Sequence, residues 1–263
     1  MSITPLFDFF KRGEVDHDVR LLAAQGGLAP RAHEQLSILV HLLNDTDTEI
    51  RQAAESTLNR IPEAVLSAFL ARSDVPVAMR EFFAGRGVLP AETATPAEEA
   101  ESPLVEAVAA DDVLPVEGEG EGEDEQRESL MQKLSRMTFP DRLKAASKGT
   151  REMRAILVRD PNKMIAAAVM SSPKLTDAEV EGIAKMASVS EDVLRIIGGN
   201  RNWMKKYKIF AALTRNPKTP VALSMNIIGR LNAKDMSTLA VDRNVPEAVR
   251  VAARKKMSAN KGE

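Results

Sequence analysis

Short phrases that end one helix and begin another recur along this chain, and that recurrence constrains its fold more than any other feature. Asp74-Val-Pro-Val-Ala-Met-Arg80 and Asn244-Val-Pro-Glu-Ala-Val-Arg250 share a polar-Val-Pro-x-Ala-apolar-Arg pattern, and Asp47-Thr-Glu-Ile-Arg51 is a shorter relative. In the second half, Asp160-Pro-Asn162, Asn200-Arg-Asn202 and Asp242-Arg-Asn244 open stretches 40 and 42 residues apart, while Ser172-Pro-Lys174 corresponds to Asn216-Pro-Lys218, 44 residues on. A period near forty built from helix pairs is what stacked α-solenoid units produce. With 4% aromatic residues and many alanines, the composition favours helix packing over a large sheet.

The segments between these phrases carry helical periodicity. Leu36, Leu39, Val40 and Leu43 fall at i, i+3, i+4 and i+7, the spacing that lines one helix face. Asn44-Asp-Thr-Asp-Thr48 breaks that helix and supplies a cap for the next, whose apolar face is Ile50, Ala53, Ala54, Thr57 and Leu58. Ile61-Pro62 ends it, and Val65, Leu66, Ala68 and Phe69 begin another stripe. Further on, Thr176-Asp-Ala-Glu179 fits a capping box leading into Val180, Ile183, Ala184 and Ala187. In Asn216-Pro-Lys-Thr-Pro220, Thr219 reads as a cap and Pro220 as the first helical residue, where a missing N–H costs nothing.

Charge divides the chain in three. Net charge is −2, yet residues 1–90 hold 9 basic and 12 acidic side chains, residues 91–128 hold 1 and 14, and residues 129–263 hold 26 and 12. The middle stretch, with Glu117-Gly-Glu-Gly-Glu-Gly-Glu-Asp-Glu125, repels itself and offers little apolar surface, so it reads as a disordered acidic linker. An apolar island from Leu104 to Ala110, with Val113 and Leu114, is able to fold on a partner. The expected organisation is a helical domain at 1–90, the linker at 91–128 and a basic helical-repeat domain at 129–263.

Several chemistries lack their residues. Zero cysteines exclude disulfides, thiolate metal sites and cysteine nucleophiles. His17, His33 and His41 do not lie at the i, i+4 spacing of a helical zinc pair, so no metal is expected. No Gly-x-Gly-x-x-Gly, Walker-type Gly-x-x-x-x-Gly-Lys or Gly-x-Ser-x-Gly sequence occurs, and Gly198-Gly199 follows a helical stretch rather than a strand. Asp111-Asp112 lies in the linker, and Glu191-Asp192 follows Ser190, where acids favour a helix start. Neither a catalytic residue nor a cofactor is expected. The start, Met1-Ser-Ile-Thr-Pro-Leu-Phe-Asp-Phe-Phe-Lys-Arg12, places aromatics before charge, unlike a secretory signal, and no run of about 18 apolar residues occurs. A cytoplasmic protein is the expectation. Leu6, Phe7, Phe9 and Phe10 suit a cap on the first helices, since an open end of a repeat array must be covered.

Asp45-Thr-Asp-Thr-Glu-Ile-Arg-Gln-Ala-Ala-Glu-Ser-Thr-Leu58 resembles the second helix of a HEAT repeat, and the stretch from Leu157-Val-Arg-Asp-Pro to Arg215-Asn-Pro-Lys-Thr-Pro220 is similar to leucine-rich-repeat-variant units. The resemblance implies an all-α solenoid of helical hairpins that binds macromolecules. The clustered cysteines of the variant repeats are missing, so no iron–sulfur cluster is carried over.

One stretch invites a functional reading. Asn200-Arg-Asn-Trp-Met-Lys-Lys-Tyr-Lys-Ile-Phe210 holds the chain's single tryptophan and single tyrosine among basic residues. On one continuous helix, Trp203, Tyr207, Phe210 and Ala211 would share the buried side and Arg201, Lys205 and Lys208 the opposite one. Together with Arg250 and Arg254, and beside Lys255 and Lys256, these bases would form an electropositive face. The expected function is a non-enzymatic scaffold or adaptor for a protein partner. The alternative is a nucleic-acid-binding module that sets Arg201, Lys205, Lys208, Arg250 and Arg254 against phosphates. A HEAT-like DNA glycosylase ranks last, for want of an aromatic cleft with a paired carboxylate. Oligomeric state is not specified.

Overall fold

The computed structural model describes residues 5–28, 31–92, 103–104 and 123–259, and among these every regular element is helical. The expected acidic linker lies largely outside the described residues. Its last part does not: helix begins at Glu123, inside the stretch read as linker. Contacts divide the chain into two units, one of residues 1–156 with 171–173 and one of 157–170 with 174–263. The charge break near 129 and the packing break near 157 therefore differ, because charge marks surface and packing marks core.

The first unit opens with α1 (Pro5–Arg12), α2 (His17–Ala24), α3 (Ala32–Leu42) and α4 (Thr48–Asn59), followed by α5 (Glu63–Leu70) and α6 (Val77–Ala84). Three further helices, α7 (Glu123–Arg136), α8 (Phe139–Lys148) and α9 (Arg151–Leu157), follow, the last ending at the boundary. Helix α3 is the centre, packed by α1, α2 and α4. Leu36, Ile38, Leu39 and Leu42 of α3 are fully buried, as are Ile50 and Ala54 of α4. Helix α1 lays Leu6, Phe9 and Phe10 into this core, each worth roughly 1.5–3 kcal/mol on burial. Its outer aromatic, Phe7, meets His41 edge-on at 5.8 Å.

Connections in this unit are closed locally. Asp45 accepts the Asp47 N–H at 2.9 Å and binds Arg20 at 2.6 Å; burial opposes its ionisation, but these donors outweigh that and hold its pKa below the ordinary value. Asp47 caps α4 by accepting the Glu49 N–H at 2.8 Å. Arg80 of the Val-Pro phrase donates to the carbonyls of Leu70, at 3.1 Å, and Arg72, which pins α6 to the end of α5.

The second unit holds α10 (Lys163–Ser171, its last residue in the first unit), α11 (Asp177–Lys185), α12 (Glu191–Gly199), α13 (Tyr207–Arg215), α14 (Val221–Ile227), α15 (Ala233–Val241) and α16 (Glu247–Ala259). Two 3-10 turns, Trp203–Lys205 and Ile228–Arg230, interrupt the series. Helix α13 packs on α11 and on α15, and α16 packs on both α14 and α15. Helices α11, α13 and α15 start at 177, 207 and 233, so the helix-pair spacing is 30 and then 26 residues rather than about forty.

That shorter spacing follows from where the recurring phrases fall. They mark turns at successive helix boundaries. Asp160, Asn200, Asn216 and Asp242 each accept the N–H two residues on, at 2.8, 2.9, 3.0 and 3.0 Å. A short side-chain carboxylate or amide thus imitates a backbone turn and stops the preceding helix. Three residues after Asn216 or Asp242 the chain dips into the core with Thr219 or Val245, then reaches Pro220 or Pro246 immediately before the next helix. Val189 is likewise buried before Ser190, whose hydroxyl accepts the Val193 N–H at 3.4 Å. The Thr176–Glu179 capping box is present on α11, but that helix ends at Lys185 and leaves Ala187 exposed. Pro220 occupies the capping position, and Thr219 instead donates its buried hydroxyl to the Leu213 carbonyl at 2.6 Å.

Candidate interaction surface

The aromatic-basic stretch at 200–210 is two elements, which corrects the single-helix expectation. Asn200 accepts the N–H groups of Asn202, at 2.9 Å, and Trp203, at 3.3 Å, and so closes a turn before the 3-10 segment. Lys206 is extended, and α13 begins afresh at Tyr207. Trp203 and Phe210 are buried as expected. Tyr207 is not: it is 37% exposed, and its hydroxyl donates to Asp235 while accepting the Asn232 N–H at 3.1 Å. Desolvation and the Asp235 carboxylate push its pKa up. Arg215 also binds Asp235, so one carboxylate ties α13 to α15.

The five basic candidates fall into two kinds. Arg201, Lys205 and Lys208 are exposed, in the turn, the 3-10 segment and the first turn of α13, and none forms an ion pair among the described residues. Arg250 and Arg254 belong to the packing of α16. Arg250 is half-buried and lies 3.8 Å from Glu247, while the Arg254 Nε donates to the Ala240 carbonyl at 3.1 Å, closing the end of α15. Several other cations of the unit are neutralised in pairs, including Lys163–Asp192, Lys185–Glu181, Arg195–Glu191 and Lys206–Asp177.

The Ile228–Arg230 turn connects the two basic segments, through a residue that sequence periodicity did not single out. Arg230 donates to the Met204 carbonyl at 2.6 Å and lies 4.3 Å over the Phe210 ring. At its neighbour, a Cβ on Gly229 would lie 2.3 Å from the Lys256 ammonium, so the missing side chain admits that cation. The turn thereby holds Arg230 against the 203–210 stretch and Lys256 against Gly229. Only the Gly-Arg pair after an apolar helix hinted at this.

Beside it lies an uncharged helix. Helix α14, Val-Ala-Leu-Ser-Met-Asn-Ile, buries Ser224 and Ile227 and turns Val221, Ala222, Met225 and Asn226 outward. Val221 and Met225, one turn apart, are 40% and 42% exposed. Val251 on α16 and Val241 at the end of α15 are exposed too. Lys218 precedes this face and Arg230 follows it, both exposed.

No three or more His, Asp or Glu side chains group into a metal-binding set among the described residues, and no helix there is long and apolar enough to cross a membrane. Compared with known proteins, the chain matches no family model, no curated protein and no solved structure.

Proposed function

We propose that this chain is a non-enzymatic helical-repeat scaffold, an α-solenoid carrying an acidic stretch at 91–128, that binds a protein partner. The observation that carries this reading is the outward face of α14, where Val221 and Met225 stand in water in a chain whose residues are 28% charged. Apolar side chains one turn apart on a helix stand side by side, and a contiguous exposed apolar patch rimmed by polar residues is the kind of surface that partners cover. The flanking Lys218 and Arg230 specify the partner's chemistry: a segment with apolar anchors between carboxylates. Apolar anchors supply affinity, and opposite charge supplies orientation and speed of encounter.

A second reading rests on a separate observation, the exposure of Arg201, Lys205 and Lys208, none of which is in an ion pair among the described residues. Such a group would neutralise phosphates of a nucleic acid, and binding would weaken steeply with salt through counterion release. One comparison separates the two. The immobilised full chain is incubated with native lysate, with and without nuclease, beside a Val221→Asp/Met225→Asp variant and a Lys205→Glu/Lys208→Glu variant. The scaffold reading expects nuclease-resistant capture that survives 0.5 M salt and disappears with the first variant. Nuclease-sensitive capture, lost with the second variant and untouched by the first, would establish the nucleic-acid reading instead.

A further inference from the structure

Two neighbouring polar side chains are buried on α3, and each holds a backbone N–H from a segment far away in sequence. Glu34, 2% exposed, accepts the Leu6 N–H at 2.8 Å across 28 positions. Gln35, 1% exposed, accepts the Leu104 N–H at 2.8 Å across 69 positions. The two gripped leucines each follow a proline, in Pro5-Leu6 and Pro103-Leu104.

The shared dipeptide has a physical logic. Proline fixes its own φ and biases the residue before it toward extended backbone, so the leucine N–H is presented with little freedom left to lose. A buried side-chain oxygen then needs that donor, because an unfilled acceptor inside the protein keeps its full desolvation cost. Gln35 is set for the task at its other end. Its Nε2 donates to the Gly26 carbonyl at 3.3 Å, and Gly26 has φ +86°, a conformation that turns its carbonyl inward and that other residues seldom adopt. The carboxamide is therefore oriented with its oxygen toward Leu104.

The two grips differ in depth. Leu6 is fully buried as part of α1, whereas Pro103 and Leu104 are half-buried and belong to no helix. The first is a permanent piece of the core; among the described residues the second is a partly covered dipeptide whose leucine N–H is held by Gln35.

We propose that Gln35 and the Gly26 turn form a peptide-binding slot for a Pro-Leu segment, filled in the free protein by this chain's own Pro103-Leu104. The resident dipeptide is covalently tethered, so it competes at an effective concentration in roughly the millimolar range. A partner carrying the same dipeptide takes the slot by displacing it. This inference concerns the first unit and does not depend on the α14 reading.

Fluorescence anisotropy of a labelled Glu-Ser-Pro-Leu-Val-Glu-Ala peptide, matching residues 101–107, tests it on the full chain. Leu104→Pro removes the resident N–H, and the peptide is expected to bind that variant at least tenfold more tightly than wild type. Adding Gln35→Leu, which removes the acceptor, abolishes the gain. Should Gln35→Leu fail to fold, a peptide whose leucine nitrogen is methylated supplies the same test, with an expected loss of at least tenfold on the Leu104→Pro protein. Equal binding by wild type and Leu104→Pro, or by the methylated and unmethylated peptides, overturns the proposal.

Discussion

Replacing Glu34 with glutamine should stabilise the first unit at neutral pH and leave it nearly unchanged in mild acid. Burial pushes the Glu34 carboxyl from 4.5 up to about 7, although the Leu6 and Phe7 N–H groups, Ser171 and Arg31 pull the other way. An acid whose pKa is raised in the folded state binds its proton more tightly there than in the unfolded chain. The resulting penalty is absent below about pH 4.5, grows as the pH rises towards 7, and stays constant above that. At 1.36 kcal/mol for each pH unit separating the two states, the cost of ionised Glu34 at pH 8 is about 3 kcal/mol. Glutamine keeps an oxygen for Leu6 and carries no charge, so Glu34→Gln should recover about 1–3 kcal/mol at pH 8 and close to nothing at pH 4.5. Native-state hydrogen exchange of α1 and α3 amides is the right assay, because the single tryptophan, Trp203, sits in the other unit and would report on that one. Equal effects of the substitution at pH 4.5 and pH 8 would show that the carboxyl is not held neutral by its surroundings.

Three further outcomes test other parts of the account. Gly149→Ala should destabilise the first unit by about 2 kcal/mol or more, since its Cβ would stand 2.2 Å from the Ala145 carbonyl oxygen, a backbone atom that has no rotamer to yield; urea titration followed by far-ultraviolet circular dichroism measures it. Thr176→Ala should cost about 1 kcal/mol by removing the half of the capping box in which the Thr176 hydroxyl accepts the Glu179 N–H, seen as a lower urea midpoint with an unchanged slope. Deleting residues 91–128 removes 14 acidic and 1 basic side chain and should tighten binding of heparin to the remaining chain at low salt; unchanged affinity would mean that the acidic stretch does not compete for the basic face.

What the sequence made legible was local. The Asp47 cap and the Thr176–Glu179 box each depend on groups within three residues of one another, where spacing alone determines geometry. The errors arose where distant groups decide. Tyr207 was assigned to the core by periodicity, but Asn200 ends the turn early and Asp235, 28 positions on, draws the phenol outward. Arg230 went unnoticed because nothing near it in sequence announces Met204 or Phe210 as its neighbours. Glu34 and Gln35 lay within an apolar helical pattern as ordinary polar residues, and only the two distant N–H groups reveal why they are buried. The period of about forty failed for another reason: similar turns occur at many helix boundaries, so matching one to the third along lengthens the apparent unit.

Because the connectors at Asp160, Asn200, Asn216 and Asp242 are each closed by bonds that reach only two residues, a helix junction can consolidate as soon as its own few residues are available. Such a chain spends little entropy on bringing remote segments together. During synthesis on a ribosome, the 157–263 portion would then assemble progressively as it emerges, one junction after another, without waiting for its final helix.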